Sequence, residues 1–202
     1  KPTVRFTEQA TGHSYKVDPA VPTPVRLTNT TIPKVYEALW QRNGSGVVLR
    51  YLKDDEETIE TFYATLKKAR GGEEGELQGS FLPSEIAQAA LSPDGAELLY
   101  LREEGGGAVV YALRLGGSAR REVLRTSVRE WLLQWPKRTQ AFLLTKPSVA
   151  AEGFLAALNP DTGELETVLS GREGLTVKAG GGDTLLVSEA VGAAFATRVY
   201  SL

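Results

Sequence analysis

An all-β fold, a β-propeller of four-stranded antiparallel blades, is predicted by three features of the 202-residue sequence. The first is a repeat. Segments ending in Trp40-Gln41-Arg42-Asn43-Gly44, Leu91-Ser92-Pro93-Asp94-Gly95, Trp135-Pro136-Lys137-Arg138 and Ala179-Gly180-Gly181-Gly182-Asp183 follow one another at steps of 51, 44 and 44 residues, the length of one blade. The second is that each turn leads into a nearly continuous apolar strand, such as Val47-Val48-Leu49 or Phe142-Leu143-Leu144. Hydrophobicity on both faces of a strand is expected when its sheet lies between two neighbours. The third is a small residue held between larger apolar ones in the next strand, as in Tyr63-Ala64-Thr65-Leu66, Tyr111-Ala112-Leu113 and Leu155-Ala156-Ala157-Leu158, which suits close contact between twisted sheets.

The strands follow in order. A first partial blade, residues 1–31, supplies strands at 3–9, 13–18 and 24–28 with no inner strand before them. Complete blades are predicted over 32–83, 84–126 and 127–171, and a second partial blade over 172–202 ends after its third strand. The inner strands are 35–40, 86–91, 128–135 and 175–179. Second strands begin at Val47, Glu97, Gln140 and Thr184, and third strands occupy 58–66, 108–115, 153–158 and 195–202. Outer strands are expected at 121–125, after Gly116-Gly117-Ser118, and at 164–169, after the Asn159-Pro160-Asp161-Thr162-Gly163 turn. Residues 56–70 are charged enough to suggest a helix, but Thr58-Ile59-Glu60-Thr61-Phe62-Tyr63 has strand preferences. The two partial blades hold too many strands for one shared blade, which predicts a single-domain segment of a larger ring.

Composition narrows the partners. The chain has 42% hydrophobic and 24% charged residues, with 23 Lys and Arg against 25 Asp and Glu. No net field draws in nucleic acid or an anionic membrane. There is no Cys, which excludes disulfides, thiol catalysis and thiolate metal sites. Lys1 at the start and the lack of Met predict a processed or excised piece of a longer product, with any membrane anchor outside it. No apolar run approaches the roughly 20 residues that span a bilayer.

Ala90-Leu91-Ser92-Pro93-Asp94-Gly95-Ala96-Glu97-Leu98-Leu99-Tyr100 resembles the Ser-Pro-Asp-Gly repeat of TolB-type propellers. Thr11-Gly12-His13-Ser14-Tyr15, Ile32-Pro33-Lys34-Val35-Tyr36-Glu37-Ala38-Leu39-Trp40 and Glu130-Trp131-Leu132-Leu133-Gln134-Trp135-Pro136 are similar to segments of bacterial propellers carried outside a membrane anchor. The Trp-Asp and Gly-His pairs of WD-type blades are absent. The resemblance implies a protein-interaction module, exported to the periplasm or cell surface. Related repeats also form the non-catalytic gate of prolyl-oligopeptidase-type enzymes. Neither relationship carries a catalytic residue to this chain.

Motifs for chemistry are lacking. His13 is the only histidine, and it falls in a turn. No Gly-x-Ser-x-Gly elbow, phosphate loop or dinucleotide turn occurs. Gly105-Gly106-Gly107 and Gly180-Gly181-Gly182 read as hairpin turns. Asp54-Asp55-Glu56-Glu57 lacks the spacing that wraps a calcium ion and reads as a hairpin tip. Asn29-Thr30-Thr31 and Asn43-Gly44-Ser45 match glycosylation sequons but suit turns.

Two sets of candidates remain. Glu37, Gln88, Glu130, Gln134 and Lys178 are polar residues on inner strands, placed to bind a small polar ligand in a central channel or simply to border water there. Arg125, Arg129, Trp131 and Arg172 fall near the loops that differ most between repeats, a protein-interaction surface of the Arg and aromatic type. The expected function is a non-enzymatic protein-binding module or scaffold. The alternatives are a sensory propeller for a small polar ligand and the propeller gate of a larger hydrolase. No cofactor or metal is expected, and open sheet edges at both ends invite self-association.

Overall fold

The structure is a computed structural model that describes residues 3–67, 74–148, 150–180 and 183–201. The predicted turn residues Gly181 and Gly182, the last residues of the 56–70 segment and the final Leu202 lie outside the described residues. Within them there is no helix. Eighteen strands form five antiparallel sheets, each a simple meander: three four-stranded and two three-stranded propeller blades.

The chain divides into two compact units, Lys1–Ile86 and Ala87–Leu202. The first unit contains the sheet β1 (Val4–Thr7), β2 (Ser14–Asp18), β3 (Val21–Arg26) and the sheet β4 (Val35–Trp40), β5 (Gly46–Leu52), β6 (Ile59–Lys67), β7 (Glu76–Phe81). Val35, Val47, Leu49, Ala64 and Leu77 form its core. The Arg5 guanidinium lies 5.9 Å from the Trp40 ring and against Gly44, so the first sheet rests on the turn that closes β4 onto β5.

The second unit holds the remaining sheets. These are β8 (Ile86–Leu91) to β9 (Glu97–Glu104), β10 (Gly107–Arg114) and β11 (Arg120–Thr126); β12 (Trp131–Lys137) to β13 (Gln140–Thr145), β14 (Glu152–Leu158) and β15 (Leu165–Glu173); and β16 (Thr176–Ala179), β17 (Thr184–Val191) and β18 (Ala194–Ser201). β13 shows why its sequence is apolar throughout. Ala141 and Leu143 join Leu99, Leu101, Val110 and Trp131 on one face, while Phe142 and Leu144 join Leu175, Val177 and Leu185 on the other. A strand of period two with both faces covered must be hydrophobic at every position.

The repeated turns share their chemistry. In the second blade the Gly44 N–H donates to the Gln41 carbonyl at 2.7 Å, and in the third the Gly95 N–H donates to the Ser92 carbonyl at 2.8 Å. Both glycines have positive φ, 66° and 73°, a conformation that a side chain disfavours. Asn43 and Asp94 accept from the amides of Ser45 and Ala96. The Asp94 carboxyl is held below its ordinary value by the Ser92 hydroxyl, then by the Ala96 amide.

Three local differences from the sequence reading have physical causes. β12 begins at Trp131 rather than Val128, because the Val128 carbonyl accepts the Trp131 indole N–H at 3.0 Å and bends the chain. β15 continues past Leu169 to Glu173 across a register shift, with Gly171 at φ 69°. β7, which the complete blade over 32–83 implied without bounds, is exposed except at Leu77, so it carries almost no hydrophobic alternation. Residues 59–67 form a strand, and the acidic segment before them is a hairpin tip. There Asp55 accepts from the Glu57 and Thr58 amides at 3.0 and 2.8 Å. Hydrogen bonds from Thr58 and then Glu57 hold its carboxyl down at about 2.

Candidate interaction cleft

Of the candidate residues, Gln88, Arg129, Glu130 and Trp131 come together. They line a cleft of about 200 Å³ in the second unit, with Glu103 and Lys146 beside them. Gln88 is half-buried on β8, and the segment 128–130 delivers Arg129 and Glu130 just before β12. Trp131 is buried at 3% exposure, its ring packed edge-on against Phe154 at 5.2 Å, and it supplies a rigid wall. The Arg129 Nε donates to the Gly106 carbonyl at 2.9 Å, which fixes its guanidinium at the rim. Lys146 Nζ lies 3.3 Å from Glu130 Oε1, both side chains being largely exposed. The cleft thus presents carboxylates, cationic groups and an amide around an aromatic wall. Among the described residues, no group of three or more His, Asp or Glu side chains could hold a metal ion.

Lys146 was missed by the sequence reading, yet a signal existed. The hairpin register pairs Trp131 with Thr145, so extending it by one residue sets Glu130 opposite Lys146, whose amide donates to the Glu130 carbonyl at 3.2 Å.

The other candidates serve elsewhere. Glu37 on β4 accepts from Arg50 Nη1 at 2.8 Å, and Arg50, at 4% side-chain exposure, also donates to the Ile86 carbonyl at 2.6 Å. Gln134 spans two sheets: its Nε2 donates to the Val177 carbonyl at 2.7 Å, and its Oε1 accepts from the Ala179 amide at 3.0 Å. Lys178 is exposed on β16, paired in register with Leu186. Arg125 is exposed on β11 and forks onto Glu122 at 3.2 and 2.9 Å. Arg172 and Arg198 both grip the buried Glu189, Arg198 at 2.7 Å. The hydrogen bond from Arg172 is the main reason the Glu189 carboxyl sits below its ordinary value. His13 touches Arg26 Nη2 at 3.0 Å and the Thr31 hydroxyl at 3.2 Å.

No protein-family model matches the sequence, and no curated protein does. Solved structures do match. A protein assigned as TolB from Agrobacterium tumefaciens is 11% identical, with a TM-score of 0.63 over 100% of this chain and 78% of its own. This is the fold of a TolB-type propeller. A prolyl endopeptidase matches at 14% identity and TM-score 0.65, covering 99% of this chain. The chain spans about a third of that enzyme, 34% of its length. The β-propeller domain of the Trilobed protease from Pyrococcus furiosus matches at 11% identity and TM-score 0.56, over 83% of this chain and 54% of the other. The TolB-type likeness agrees with the Ser92-Pro93-Asp94-Gly95 turn, whose bonding is described above.

Proposed function

We propose that this chain is a non-catalytic propeller module that binds a partner protein outside the cytoplasm, with the Gln88, Arg129, Glu130 and Trp131 cleft at the contact. The observation that carries this reading is the combination of size and lining. Clefts for free metabolites usually measure about 300–1,000 Å³, and this one is about 200 Å³. A cavity of that size suits one or two side chains projecting from a protein. Opposite charges at an exposed rim around a packed aromatic favour orientation and on-rate. The export is inferred from the resemblance to anchored bacterial propellers.

The test is capture of partners from an extract of the source cells on immobilised chain, comparing the parent with Arg129→Glu and Glu130→Lys. Loss of the captured proteins with an unchanged melting temperature supports the reading, and equal capture by all three overturns it. A small polar ligand is the second reading, because Gln88 and Glu130 line one cavity. A metabolite panel at a hundred times the dissociation constant would then raise stability by about 2.7 kcal/mol.

A further inference from the structure

The cleft of the second unit is lined by residues of two complete, four-stranded blades, β8 to β11 and β12 to β15, and its polar groups differ in what already holds them. The Lys146 ammonium and the Glu130 carboxylate face each other at 3.3 Å. The Arg129 Nε donates to the neutral carbonyl of Gly106, at the tip of the β9–β10 hairpin. Glu103 and Gln88 are different. Both line the cleft, and among the described residues neither side chain has a hydrogen bond or an ion pair. Glu103 stands two residues after the buried Leu101 on β9, so strand alternation sets both on the face that shares a core with Trp131.

The floor of the cleft is apolar. Half-buried Ala87 lies over buried Leu101 and Trp131, all three in or against the same core. An apolar floor beneath an unpaired carboxylate suits a side chain with a long methylene stem and a cationic head, because Lys and Arg lay their stems on apolar surface while the head stays at the water's edge. Asp and Glu have short stems, and their charge would meet Glu103 and Glu130.

We propose that the cleft takes a single basic side chain, Lys or Arg, from the partner protein, with its stem on Ala87, its head at the Glu103 carboxylate and Gln88 Oε1, and an acidic neighbour of that residue on Arg129. This rests on the reading of the cleft as a protein contact and names the chemistry of the segment that enters it. Charge complementarity selects that segment. Glu103 is a carboxylate without an internal counter-ion, and Arg129 is a rim cation bonded to a neutral carbonyl, so one basic and one acidic group together satisfy the two. Glu130 and Lys146 neutralise each other at an exposed position, where an ion pair contributes little and yields readily. A run of basic residues is disfavoured by Arg129 and Lys146, which supplies discrimination by repulsion.

The test titrates the 202-residue chain with an acetylated, amidated Gly-Glu-Lys-Glu-Gly peptide and with the same peptide carrying norleucine in place of lysine. In the NMR spectrum the lysine peptide should move the Gln88 side-chain amide and the Trp131 indole N–H. The Gln134 amide, held by Val177 and Ala179, should stay in place. Norleucine keeps the stem and loses the charge, so its peptide should bind about fivefold more weakly, the scale of one exposed ion pair. Glu103→Gln should weaken the lysine peptide by the same factor, leave the norleucine peptide unaffected and keep the parent's melting temperature, since the Glu103 side chain is exposed. Equal or tighter binding of the norleucine peptide, equal binding of the lysine peptide to parent and Glu103→Gln, or no binding of either peptide would overturn the proposal. The capture comparison of Arg129→Glu and Glu130→Lys judges the cleft itself. If both variants lose capture while lysine and norleucine bind alike, only the basic side chain is refuted, and if neither variant loses capture, both readings fall.

Discussion

Gln88 and Gln134 are both glutamines on the first strand of a blade, both half-buried, and in sequence they are indistinguishable candidates for a ligand site. Their environments differ completely. The Gln134 amide is spent on two backbone partners of the next sheet, whereas the Gln88 side chain lines an open cleft. The glutamates divide in the same way. Glu37 compensates the buried Arg50, while Glu130 stands at an exposed rim with Lys146. Polar residues on first strands are therefore of two kinds: struts that satisfy buried groups, and cleft residues that a partner can reach. Removing a strut leaves buried groups unpaired and costs stability. Removing the Gln88 amide or the exposed Glu130 carboxylate from the cleft leaves no buried group without its partner.

The sharpest way to break this division is Glu37→Ala, which strips a buried guanidinium of its carboxylate. Chemical denaturation should show a loss of about 3 kcal/mol, the low end for breaking a buried pair. Gln134→Ala should follow at about 2 kcal/mol, because the Val177 carbonyl and Ala179 amide lose their shared partner. If either variant melts like the parent, its residue is not a strut.

Acid provides an intermediate effect. The folded Glu189 carboxyl lies below its ordinary value of 4.5, so its contribution is present above that pH and is lost as the pH falls through the folded value. The melting temperature of the parent should therefore decline on acidification below about pH 4.5. In Glu189→Gln it should start lower at neutral pH and decline less steeply. The smallest effect is expected at the cleft. Gln88→Ala and Glu130→Gln should each stay within about 0.5 kcal/mol of the parent, and a larger loss would move them among the struts.

Much of the architecture was legible because it is written in local periodicity. The 44-residue step, the turn residues Asn43-Gly44 and Asp94-Gly95, and the doubly apolar β13 each reflect a constraint acting within one strand or turn. The bounds of β7 were not legible, since an outer strand with a single buried residue, Leu77, need not advertise itself. The cleft was half legible. Trp131, Arg129 and Glu130 are adjacent in sequence, but Gln88 and Lys146 reach them only through sheet register and packing. Arg172 looked like an interface arginine, and its engagement with Glu189 depended on β17.

The sequence by itself determined the strand order, the turns and the all-β class, because backbone conformation and alternation are properties of neighbouring residues. Only the tertiary structure decided which polar side chains are struts and which line a cleft. Those roles depend on what lies opposite a residue in space, as when Gln134 meets Val177 and Ala179 across 43 and 45 residues.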